Sequence, residues 1–188
     1  MGYRAACSVA LTLALAGCGG GEQLTGPAPP SFMTETVGVC PLLCLYASAT
    51  QITPTQAVTA KHAALTATLS RHFVGRDDIA WFEHSGLAPV VRAAKDGEAV
   101  VLYGNWYGPG ARVAKGHVIA AKGYIERGDH RDWGVIVDAD AESGFSGGGI
   151  YGADGALLGV ATDTMKLTDG RAAVFGYWAT EIKGEMER

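Results

Sequence analysis

The chain has 188 residues, 48 % of them hydrophobic and 18 % charged, with 27 glycines and a formal net charge of −4. That length points to one domain or to two small halves sharing a core, and the apolar fraction is too high for a disordered chain. The mild acidity offers no electrostatic basis for binding nucleic acid, the body of the chain lacks repeated membrane-length apolar runs, and so much glycine favours the tight turns of β-structure.

Arg4 is followed by an apolar, small-residue run from Ala5 to Gly17, the pattern of a removable secretory signal over residues 1–17. Leu15-Ala16-Gly17-Cys18 looks like a bacterial lipobox, in which the Cys18 thiol would receive the lipid. An ordinary signal with an incidental cysteine is the alternative, but the cysteine stands where the apolar run stops. Several acyl chains together would give stable anchoring. Gly19, rather than aspartate, after the cysteine resembles outer-membrane sorting, so the expected location is the periplasmic face of the outer membrane. Residues 18–32 are rich in Gly and Pro and read as a flexible tether, with globular sequence over 33–188.

Cys40 and Cys44 remain in that oxidising compartment and can close a small disulfide if Pro41 opens a turn. In an extended strand the same separation is ~13 Å, too far to bridge. Short apolar or alternating runs then follow at 35–39, 45–52, 57–59, 79–82, 98–104, 117–121, 134–138, 149–151, 156–162 and 172–178. Most are bounded by turn-forming residues, and Asp154-Gly155 marks a hairpin. This predicts an all-β barrel or sandwich, with helices at 63–69, 87–94 and 179–187.

The sharpest chemical feature is Gly144-Phe145-Ser146-Gly147-Gly148-Gly149. It fits G-x-S-x-G, which suits two nucleophile classes, and chain order separates them. All five histidines (His62, His72, His84, His117 and His130) precede Ser146, whereas an α/β-hydrolase needs its histidine afterwards. The order His, Asp, Ser remains. No histidine has metal-ligand spacing, so no metal or other cofactor is expected.

Here the chain resembles trypsin-like serine proteases. Ala57-Val58-Thr59-Ala60-Lys61-His62-Ala63-Ala64 looks like their catalytic-histidine segment, and Asp77-Asp78-Ile79-Ala80-Trp81 like their catalytic-aspartate segment. Val137 to Gly148 is similar to the nucleophile segment of bacterial Deg/HtrA-type proteases without a gap. Gly97 to Gly104 resembles the first strand of their second barrel, and 155–162 and 174–179 its closing strands. The resemblance implies an all-β, two-barrel chymotrypsin-like fold with a short C-terminal helix, the barrels spanning about 33–84 and 97–178. It implies Ser146 as nucleophile, His62 as base, Asp78 as the group that orients it, and the N–H groups of Gly144 and Ser146 as the oxyanion hole.

Several positions depart from the family pattern. Segment 33–84 leaves no residue spare for six strands of ~5–6 residues joined by ~4-residue turns, so the first barrel should be reduced. Phe145 stands where trypsins carry an aspartate that pairs with a freed N-terminus, so activation by such a cleavage is not expected. Asp140 matches the base of the trypsin S1 pocket if no gap intervenes; the Deg-like alignment makes it a loop residue. The chain ends soon after the second barrel, so control by a following peptide-binding module is not expected. The expected function is a lipid-anchored periplasmic serine endopeptidase acting on protein or peptide substrates. The alternative is a protease-like module that binds peptides or an envelope protein without cleaving them.

Overall fold

The computed structural model describes residues 21–39, 43–64, 72–74, 78–105, 110–141 and 144–188, and for 35–39, 43–46 and 72–74 the backbone alone. The predicted signal, Cys18 and Cys40 lie outside these residues, and with Cys40 the expected pairing to Cys44.

The first sheet contains β2 (Phe32–Val39), β3 (Leu43–Thr53), β4 (Gln56–Ala60), β5 (His72–Val74) and β6 (Ile79–Glu83). Their order is β2-β3-β4-β6-β5, every neighbour antiparallel. Among the described residues no pairing joins β5 back to β2, so the sheet is open and has five strands.

The second sheet closes. β7 (Ala99–Asn105), β8 (Ala111–Arg127), β9 (His130–Ala139), β10 (Gly149–Gly152), β11 (Leu157–Lys166) and β12 (Ala172–Trp178) run in the order β8-β7-β10-β11-β12-β9, and β9 pairs again with β8. Closure leaves no free edge along these pairings. The Asp154-Gly155 turn forms as the sequence predicts: Gly155 takes φ 76° and its N–H donates to the Gly152 carbonyl.

Helix α1 (Lys61–Ala64) follows β4, and α2 (Ala179–Met186) follows β12. The fold is therefore the expected all-β, two-barrel one with a short C-terminal helix. Ile52, Val58 and Ile79 of the first sheet share a core with Leu157, Val160, Phe175 and Tyr177 of the second and with Ile182 of α2. Burying each large aliphatic or aromatic side chain contributes roughly 1.5–3 kcal/mol, so this seam fixes one barrel against the other.

Two expectations are corrected, and a third is met over the residues described. Residues 87–94 are not helical: Leu157 N–H donates to the Val90 carbonyl and Arg92 N–H to the Leu157 carbonyl, a strand-like bridge. Pro89 disfavours the helical region for Ala88 before it, and the extended connector instead backs β11. Of the helix predicted at 63–69, residues 63–64 belong to α1 and the remainder lies outside the described residues.

The tether is not free along its length either. Its residues Glu22–Gln23 form β1, paired with Val113 and Arg112 of β8. Gly21 lies against the Phe145 ring and the Val113 carbonyl, and a Cβ there would stand 3.0 and 2.9 Å from them. Downstream, the Ser31 hydroxyl shares a 2.7 Å hydrogen bond with Tyr151. Backbone pairing and close glycine packing dock a segment whose composition alone reads as linker.

Candidate active site

The pairing of β4 with β6 sets the first contact. Ala60 stands opposite Ile79, and one step further the Lys61 N–H donates to the Asp78 carbonyl at 3.0 Å. His62, the second residue of α1, therefore meets Asp78 although sixteen residues separate them. One carboxylate oxygen of Asp78 accepts the His62 backbone N–H at 2.9 Å, and the other lies 2.5 Å from the ring Nδ1. The short interval between the two residues is thus a register consequence: two paired strands deliver their ends to one point.

The Ser146 loop is held between the barrels. The Ser48 hydroxyl donates to the Gly144 carbonyl at 2.6 Å, and Thr50 Oγ1 donates to the Gly147 carbonyl at 2.9 Å. Gly147 N–H donates to the Ala161 carbonyl, and the Gly148 carbonyl accepts the Ala161 N–H. Gly147 has φ 89°, and a Cβ there would sit 2.0 Å from the Ser48 carbonyl oxygen and 2.4 Å from Thr59 Oγ1. Only glycine lets the loop come this close to β4, three residues before His62. Phe145 is buried at 2 % exposure and lies over Gly104, so the position before the serine is filled by apolar packing.

Ser146 Oγ donates to the Thr162 carbonyl at 3.3 Å. Thr162 falls at a bulge, where the β11–β12 register shifts between Ala161 and Asp163. Among the described residues, no hydrogen bond joins Ser146 to His62 and the N–H groups of Gly144 and Ser146 have no partner. Gly144 has φ 102°. Asp140 is exposed beyond the end of β9, not at the base of a buried pocket.

A charged cluster backs Asp78. Tyr177 OH accepts the Asp78 N–H at 3.2 Å and donates to buried Asp132 at 2.5 Å. Arg127 lies 3.8 Å from Asp78, 2.7 Å from Asp132 and 2.5 Å from Asp163. Sequence reading gave none of these four residues a role, and Arg127 and Asp132 escaped because it ended one run at 121 and began the next at 134. The structure extends both strands to a two-residue turn at Gly128 and Asp129, and this arm carries Arg127 and Asp132 to the site. A charged residue on the inward phase of a strand, as Asp132 is, was the available signal.

Titration follows from these contacts. The hydrogen bond that its ring donates to Asp78 chiefly holds His62 above its ordinary value; partial burial opposes it, the Asp163 carboxylate adds to it and Arg127 opposes it. Burial alone would push Asp78 up, but its bonds from His62 and the Arg127 charge leave it below the usual carboxylate range.

No family model matches the chain, and no curated protein matches it. Solved structures do. The active form of the Rv3671c protease from M. tuberculosis is 20% identical, with TM-score 0.64 over 84% of this chain and 80% of that one. The MamO protease domain from Magnetospirillum magneticum is 18% identical, with TM-score 0.64 over 86% of this chain and 98% of that one. The HtrA-type protease AlgW with a tripeptide is 19% identical, with TM-score 0.63 over 85% of this chain and 60% of that one. At such identities the likeness is one of fold.

Proposed function

We propose that this chain, which has the chymotrypsin-like serine protease fold, is a serine endopeptidase resembling the Deg/HtrA type and anchored by lipid at Cys18 on the periplasmic face of the outer membrane. The observation that carries the catalytic part is the double hold of Asp78 on His62, through ring and backbone, beside a glycine-bound Ser146 loop. Ser146 Oγ attacks the scissile carbonyl after turning from the Thr162 carbonyl toward the imidazole. His62 takes its proton and returns it to the leaving amine. Asp78 holds the proton on Nδ1, so that Nε2 is the base, and it stabilises the imidazolium. The N–H groups of Gly144 and Ser146, unpartnered among the described residues, suit the developing oxyanion, each such donor being worth roughly 2.7–4 kcal/mol of barrier. A fluorophosphonate probe should label the wild type and not Ser146→Ala; a folded wild type that stays unlabelled would sink the proposal.

A second reading is favoured by the Ser146–Thr162 bond, which leaves the hydroxyl unengaged with His62. In it the chain binds peptides or an envelope protein without cleaving them. Peptide binding unchanged in Ser146→Ala, together with no labelling of the wild type, selects it.

The base works only when neutral, and Asp78 holds His62 above 6.5. Labelling rates measured from about pH 5 to about 9 should therefore rise through a midpoint above 6.5. A midpoint below the ordinary histidine value removes His62 from this role. Stability runs the other way. The His62 contribution is fully present below the unfolded value and is lost as pH rises through the raised folded value. Half exposure of the ring keeps that contribution small.

A further inference from the structure

Three carboxylates converge on Arg127, and two of them, Asp78 and Asp163, also act on His62. Asp78 stands before β6, Asp163 on β11 and Asp132 on β9. Asp78 bonds the ring directly, and the Asp163 charge also acts on it. Left uncompensated, so much negative charge would keep the imidazole protonated, and an imidazolium cannot accept the serine proton. Arg127, at the end of β8, meets all three acids: Nη2 donates to Asp163 at 2.5 Å and lies 3.8 Å from Asp78, while Nε lies 2.7 Å from Asp132. The remaining titratable groups of the cluster are Tyr177 on β12, bonded to Asp132, and His130 on β9, 3.3 Å from the other Asp132 oxygen.

We propose that Arg127 is a positioning residue for the acid–base pair: its guanidinium occupies Asp163 and braces Asp78, so that Asp78 is the carboxylate that bonds the His62 ring. This role rests on the function proposed above. Arginine suits it because one planar group can face several acids at fixed angles, which a lysine ammonium does as a point charge. The arm that brings it in is the part of β8 and β9 beyond the predicted strands, closed by Gly128 at φ 62°. The arm therefore ties the second barrel to the histidine and aspartate of the first.

The test reads His62 itself, by NMR titration of its ring signals, identified as those lost in His62→Gln. It needs no turnover, so it stays informative even if the labelling experiment shows that the chain does not act on substrates. Arg127→Met removes the guanidinium charge at similar length and should raise the His62 midpoint by about half a pH unit or more. Asp163→Asn removes an acid and frees Arg127, so it should lower the midpoint. Arg127→Lys should return it most of the way to wild type. A folded Arg127→Met with an unchanged midpoint overturns the proposal, as does an Asp163→Asn midpoint that rises or stays put. If Arg127→Met does not fold, because buried Asp132 loses its guanidinium partner, the direction of the Asp163→Asn shift decides alone. In an active chain, the acid limb of the labelling rate should move with the ring in each variant. A rate loss without movement of the limb would make Arg127 a structural residue only.

Discussion

Asp78→Asn should leave the fold intact and lower the rate of Ser146 acylation by about 10⁴-fold. The amide oxygen can still accept the His62 backbone N–H, which now bonds one carboxylate oxygen at 2.9 Å, so α1 keeps its seat against β6. The other side-chain atom becomes an NH₂ donor facing Nδ1. The imidazole must then carry its proton on Nε2, the nitrogen that has to receive the serine proton. The loss therefore comes from the wrong tautomer. A melting temperature close to wild type, with the rate of fluorophosphonate inactivation collapsed, is the expected result. Equal rates in the two proteins would mean that Asp78 does not orient a base.

Gly147→Ala should remove activity by a different route, through the fold. The residue holds a positive φ that costs a side chain roughly 1–2 kcal/mol, and its new Cβ would fall 2.0 Å from the Ser48 carbonyl, a backbone atom that cannot step aside. Moving the loop away would break the bonds from Thr50 to Gly147 and from Gly147 to Ala161, each costing roughly 1–3 kcal/mol when its partner is left buried. Destabilisation by about 3 kcal/mol or more is expected, a fall in melting temperature of about 6–12 °C for a chain of this size. Calorimetry beside the labelling assay separates the two variants: Asp78→Asn loses rate alone, and Gly147→Ala loses both. Unchanged melting in Gly147→Ala would mean that the loop is not pressed against β4.

How much of this was legible in the sequence depended on where the physics is local. Strand runs bounded by turn residues were readable, because alternation and glycine turns are properties of neighbouring residues. The order of His62, Asp78 and Ser146 was readable for the same reason. The closeness of His62 and Asp78 was not, because it follows from the register of β4 against β6. The helix predicted over 87–94 passed over what Pro89 does to the backbone of Ala88 before it. The Arg127 arm escaped because its strands are half exposed and polar, so no apolar run announces them. The seating of Gly21 escaped because a glycine-rich stretch carries no sign of what it will lie against.

The docking of Gly21 on Phe145 sets a length. Gly21 stands three residue steps along the chain from Cys18, a reach of at most about 11 Å. With acyl chains on Cys18, the peptide that precedes Ser146 would ride almost at the lipid headgroups rather than at the end of a long leash. Encounter would then become a search across a surface instead of through a volume. Chains held on the same leaflet would meet the serine at the high effective concentration that tethering confers, while freely diffusing peptides would gain nothing from the anchor.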